Sequence, residues 1–195
     1  MEGFGVIDLD KLYDEKKIFG FFTDQFCYPE EKPITLVELD ELVHTTHPSY
    51  PHLRKYVEQT EHKTLYEMQT MYTETFDFQK DATLFMTYVK FEDSKGRGQM
   101  LARLKVMYEM FGLNMPQGEL ADLLPLMCEF IYAAEWRGDS RAQDSLALLL
   151  AVLEDGSYHL MNALEKYESS FYHLVRGMRE TFKSCIIQQE VHAND

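Results

Sequence analysis

The chain has 195 residues, 45% apolar and 13% aromatic, and a formal charge of −14. That length suits one well-filled core without a second, and the apolar and aromatic content excludes intrinsic disorder. The acidic surplus excludes a nucleic-acid backbone or an anionic membrane surface as partner and favours a basic one.

Residues 1–8 lack the basic and apolar regions of an export leader. The longest apolar run, 146–153, falls short of the ~20 residues needed to cross a bilayer, so a chain neither exported nor inserted is expected. Thr35, three residues before Glu38, reads as a capping box opening a helix over 36–45, which Pro48 and Pro51 end. Leu101, Leu104, Tyr108 and Phe111 recur at helical spacing over 99–111, and Gly112 stands where a left-handed residue would close that helix. Leu120, Leu123, Met127, Phe130 and Ala134 repeat the period, with Pro125 inside it. A proline within a helix costs ~3 kcal/mol, so 119–125 reads as a bent junction with Pro125 in the first turn of a new helix.

Ser140 precedes Gln143 as a further boundary marker, and Leu146, Leu149, Leu150 and Leu153 form the next apolar stripe. Asp155-Gly156-Ser157 reads as a turn and N-cap between two late helices. Phe171, Leu174, Val175, Met178, Phe182 and Cys185 mark the last helix, and residues 191–195 a frayed tail. No segment alternates with period two, so the chain is read as all-α, a single-domain helical bundle over 1–195.

Cys27, Cys128 and Cys185 are odd in number and widely spaced, which fits reduced thiols better than a disulfide framework or a zinc ribbon. Glu41, His44 and His47 fall at i, i+3 and i+6 of the predicted 36–45 helix; they could ligate a metal, but surface histidines near a helix end explain them better. Lys95-Gly96-Arg97-Gly98 reads as a helix-entry loop that could also meet an anion, without the spacing of a P-loop. Ser49, Ser94, Ser140 and the cysteines carry no nucleophile signature, and Glu92-Asp93 and Glu154-Asp155 fit solvated helix ends. No enzyme is indicated and no metal site assigned. Met68, Met71, Met86, Met100, Met107, Met110, Met115 and Met127 crowd the middle of the chain, suiting either core filling or a surface that accepts an apolar helix.

Tyr72-x3-Phe76-Asp77, Leu84-Phe85-Met86-Thr87-Tyr88, Asp93-Ser94-x2-Arg97-Gly98, Leu104-x3-Tyr108-x3-Gly112 and Glu119-Leu120-Ala121-Asp122-Leu123-Leu124-Pro125-Leu126-x2-Glu129-Phe130 follow one another in order. Together they resemble the NarJ-type molybdenum cofactor assembly chaperones of respiratory nitrate reductase. Tyr28-Pro29-Glu30-Glu31 adds that family's early turn, and the resemblance runs from about residue 21 to about residue 164. Where the family writes E-L-P-D-H or E-L-P-D-Y, this chain has Glu119-Leu120-Ala121-Asp122-Leu123; Val89 replaces a frequent histidine and Glu92 a frequent glycine.

The resemblance implies a helical bundle of the molybdoenzyme assembly chaperone type, working in the cytoplasm without a cofactor of its own. Such a chaperone transiently binds the catalytic (alpha) subunit of a nitrate reductase, including its N-terminal segment. It promotes insertion of bis(molybdopterin guanine dinucleotide) before the enzyme docks at the membrane. A monomer is expected. Related chaperones serve dimethyl sulfoxide and trimethylamine oxide reductases, which is the alternative client class; a small metal-binding helical protein and a nucleotide hydrolase are rivals of other classes. For client binding, Tyr72, Phe76 and Asp77 are expected to face a second segment bearing Glu119, Asp122, Leu124, Pro125, Leu126 and Glu129, with Arg97 nearby. An aromatic and methionine-lined groove would take the apolar face of a peptide, while Asp77 and Asp122 on an acidic rim meet its basic residues.

Overall fold

The computed structural model describes residues 6–91 and 94–187. Glu92, Asp93 and the expected tail at 191–195 lie outside the described residues. In chain order the described elements are β1 (Val6–Ile7), α1 (Leu9–Asp14), α2 (Lys16–Phe26), α3 (Leu36–Leu42), α4 (Tyr50–Thr60), α5 (Leu65–Phe76), α6 (Ser94–Met110), α7 (Leu124–Ala133), α8 (Ala142–Lys166), α9 (Phe171–Ser184) and β2 (Ile186–Ile187). The architecture is all-α. The two short strands pair antiparallel, Val6 with Ile187 and Ile7 with Ile186, and tie the two ends of the described chain together.

Helical spacing explains what is buried. On α2, Phe19, Phe22 and Phe26 are fully buried, and this helix packs most extensively against the apolar α7. The stripes of α8 and α9 close the other side, α9 also packing against α4. Thr35 and Glu38 form the expected capping box, and Thr64 and Glu67 form another at the start of α5. Pro125 lies in the first turn of α7, and Gly112 has the left-handed φ of 83° that a closing residue needs.

Four boundaries differ from the sequence reading, each for a local reason. α3 stops at Leu42 rather than at residue 45, because the side chains that follow bond their own backbone. Thr46 N–H donates to His44 Nδ1 (3.3 Å) and Ser49 N–H to His47 Nδ1 (3.3 Å), competing with helix continuation. Residues 95–98 are the first turn of α6 rather than a loop before it. Ser140 does not cap α8; the Asp139 carboxylate instead accepts from the Arg141 N–H (2.8 Å) and pairs with its guanidinium (2.6 Å). Finally, α8 runs unbroken through Asp155-Gly156-Ser157; Gly156 serves close packing rather than a turn, since a side chain there would collide with the backbone of Met86.

Candidate functional site

Tyr72 and Phe76 stand one turn apart on α5, with ring centroids 4.9 Å apart. Both rest on Phe171, the first residue of α9, at 6.2 and 4.7 Å, and Tyr28 closes edge-on over Tyr72 at 5.6 Å. The Tyr72 hydroxyl donates to the Phe26 carbonyl (3.2 Å), and Gln69 Nε2 donates to the Pro29 carbonyl (2.9 Å). Helix α5 therefore holds the end of α2 and the Tyr28-Pro29-Glu30-Glu31 turn in place. Asp77 caps α5 and is exposed, next to Phe78, which is 75% exposed.

Tyr72 and Phe76 thus lie against α9, and among the described residues no hydrogen bond or ring contact joins them to the 119–129 segment. What links the two groups is Cys27, at the end of α2. Cys27 is an exposed residue, but partial desolvation by its packing raises its thiol pKa, and the carboxylates of Asp24, Glu129, Glu30 and Glu119 raise it further. Burial likewise raises the Tyr72 hydroxyl, with smaller contributions from Cys27 and Asp77. Acidic groups far apart in sequence converge on this corner.

An open groove of about 550 Å³ lies between α2 and α7, lined by Lys17, Gly20, Phe21, Thr23 and Asp24 on one side and Glu129, Tyr132 and Ala133 on the other, together with Leu42. Gly20 makes room for the Tyr132 ring, which lies 3.0 Å from where a Cβ would stand. Asp24 is raised by partial burial and then by Glu31, so negative charge is crowded at the mouth. A groove with apolar lining and two carboxylates, Asp24 and Glu129, against one lysine, Lys17, suits an amphipathic, basic segment.

Asp122 belongs elsewhere. Its side chain is 0% exposed, and its Oδ2 accepts from the Thr87 N–H (3.1 Å), the Thr87 hydroxyl (2.5 Å) and Arg97 Nη2 (3.2 Å). Arg97, 22% exposed, also donates to Thr87 Oγ1 (3.1 Å) and lies over the rings of Tyr88 and Phe85. The expectation of Asp122 on an acidic rim gives way to a buried strut. Around it, Met86 N–H donates to the Asp122 carbonyl and Leu124 N–H to the Leu84 carbonyl, fastening the 84–88 segment to the start of α7. Leu124, Pro125 and Leu126 point into the core, while Glu119 and Leu120 are exposed and Glu129 half-buried.

The expected methionine lining also changes place. Met68, Met86, Met107 and Met127 are buried in the interior, and Met107 and Met110 line a separate cleft of about 460 Å³ between α6 and α8. Glu41, His44 and His47 share no helix face, since α3 has ended and His47 Nε2 lies 3.1 Å from Glu15. Among the described residues there is no group of three metal-ligating side chains, and no helix long and apolar enough to cross a membrane. Sequence inspection passed over Asp24, Phe21, Tyr132 and Cys27 as site residues. Their only signal was a place on the polar edges of two helices that the fold later sets side by side.

Comparison with known proteins bears on the whole. The family model described as nitrate reductase delta subunit matches residues 39–176. A Bacillus subtilis (strain 168) protein named probable nitrate reductase molybdenum cofactor assembly chaperone NarJ is 44% identical over 120 residues, which are 62% of this chain and 61% of that relative. Nitrate reductase-like protein NarX of Mycobacterium tuberculosis is 25% identical over 154 residues, 79% of this chain but 22% of the relative. The chain therefore spans less than two thirds of the curated relatives it matches.

Proposed function

The chain belongs to the nitrate reductase delta subunit family, and on that premise we propose that it is a cytoplasmic, non-catalytic assembly chaperone for a molybdenum-containing nitrate reductase. It works as a single helical domain and a monomer, transiently binding the catalytic subunit through that subunit's N-terminal segment. Bis(molybdopterin guanine dinucleotide) then enters the client, and the finished enzyme docks at the membrane without the chaperone. The observation that carries this reading is the α2–α7 groove with Asp24 and Glu129 in its lining, the two carboxylates that also act with Glu30 and Glu119 on Cys27.

The expected site residues divide by task. Glu119 and Glu129 supply charge to the peptide's basic residues, and Asp77 extends that field beside the exposed Phe78. Tyr72 and Phe76 hold the rim turn of Tyr28 through their packing on Phe171. Arg97, Asp122, Leu124, Pro125 and Leu126 position α7 and the 119–123 turn from behind.

The test is calorimetric titration with a peptide of about fifteen residues, some four helical turns, from the N-terminus of the cognate catalytic subunit. A micromolar Kd, about −8 kcal/mol, that weakens with salt is expected. Glu129→Gln combined with Asp24→Asn should weaken it about tenfold at low salt without moving the melting temperature. No heat at any salt or pH would overturn the groove as the client site. Tighter binding of a dimethyl sulfoxide or trimethylamine oxide reductase peptide would reassign the client.

A further inference from the structure

Acidic side chains outnumber basic ones 33 to 19, yet one seam of the protein reverses that balance. Helices α4 and α9 approach closely where Gly177 has no side chain, because a Cβ there would strike Leu53. The close approach sets two helical rows edge to edge. His52 and Lys55 are one turn apart on α4, and His173, Arg176 and Glu180 follow at i, i+3 and i+7 on α9.

None of Lys55, His52, His173 and Arg176 makes an ion pair within 4 Å among the described residues, although Arg137, Arg141, Arg97 and Arg179 each do. Arg176 donates to the Tyr172 hydroxyl (2.8 Å), which leaves the phenolic hydrogen to donate outward. His173 Nδ1 is buried without a hydrogen-bond partner among the described residues. We infer that this α4–α9 seam binds a phosphate-type oxyanion, held by Lys55, Arg176, Tyr172 and the two histidines.

The charges already in the seam explain why it suits an anion. Burial holds both histidines below the ordinary pKa; Arg176 and Lys55 repel a proton on His52, and Lys55, His52 and Arg176 repel one on His173. Against these, Glu180 is the acid that acts on His52, in the opposite direction. A bound dianion offsets the repulsion and lets both imidazoles take up protons, so affinity rises as pH falls. Without it, folding stability contributed by the neutral histidines is present above about pH 6.5 and lost as pH falls through their lower folded pKa values. This seam is separate from the α2–α7 groove, and its occupancy does not depend on the client reading.

The experiment uses the full chain with 15N-labelled histidine and inorganic pyrophosphate as the probe. Saturable shifts of His52 and His173, leaving the 88%-exposed His62 unmoved, are expected at about pH 6, with binding about tenfold weaker near pH 8. Pyrophosphate should also raise the melting temperature at the lower pH. Lys55→Gln with Arg176→Gln should abolish the shifts while melting no lower than the parent, since it removes repulsion. Absence of saturation, shifts shared equally by His62, or unchanged binding in that folded double variant would overturn the proposal.

Discussion

Removing the Asp122 carboxylate gives the sharpest test of the packing argument. Asp122→Ala takes away three hydrogen bonds at Oδ2 and leaves a largely buried guanidinium at Arg97 and an orphaned N–H at Thr87, itself 1% exposed. Breaking one side of a buried ion pair costs about 3–5 kcal/mol. The partial exposure of Arg97 and the unpartnered Oδ1 that the carboxylate carries natively place this case at about 3 kcal/mol. With a urea m-value of about 2 kcal/mol/M, the unfolding midpoint followed by circular dichroism should fall by about 1.5 M with the slope unchanged. Asp122→Asn, which can keep a carbonyl oxygen at the Oδ2 position and place its amide on the unpartnered Oδ1 side, loses only the charge opposite Arg97 and should cost about 1 kcal/mol. Arg97→Met should then cost much less in the Asp122→Ala background than in the parent, the coupling expected of direct partners. Asp77→Asn, at an exposed cap, should stay within about 0.5 kcal/mol of the parent. Variants of Asp122 that unfold within that same margin, or additive effects with Arg97, would refute the strut.

Gly156→Ala should destabilise by about 2 kcal/mol through collision with the Met86 backbone, a fall of about 6 °C in calorimetry, whereas an unchanged melting temperature would mean α8 and the 84–88 segment are not in contact. Thr64→Ala removes a two-way cap from α5 and should cost about 1 kcal/mol in urea unfolding, with an accompanying loss of Tyr72 ring order by nuclear magnetic resonance. Cys27, exposed to reagent, should alkylate with iodoacetamide more slowly than a free thiol near pH 8, its rate rising at higher pH, because partial desolvation and four carboxylates disfavour the thiolate. Asp24→Asn with Glu129→Gln should speed it; Cys128 and Cys185, the latter pushed up to about 11 by burial, should react only on unfolding, as mass spectrometry of modified peptides would show.

Local chemistry determined much of this protein before any folding partner was considered. The apolar stripes of α7 and α9, the Thr35–Glu38 box, Gly112 and Pro125 each act within one or two turns of their own chain, so their spacing alone implies helices and ends. The ordered motifs from Tyr72 to Phe130 were legible for the same reason and point to the family that the comparison supports. Tertiary structure decided the rest, because it depends on which distant backbones approach. Gly156 looks like a turn until Met86 packs on it, and Asp122 looks like surface charge until Thr87 and Arg97 enclose it. Likewise Asp24, Glu30, Glu119 and Glu129 become one electrostatic group only when α2 lies along α7, an arrangement set by the burial of Phe19, Phe22 and Phe26 rather than by the carboxylates themselves.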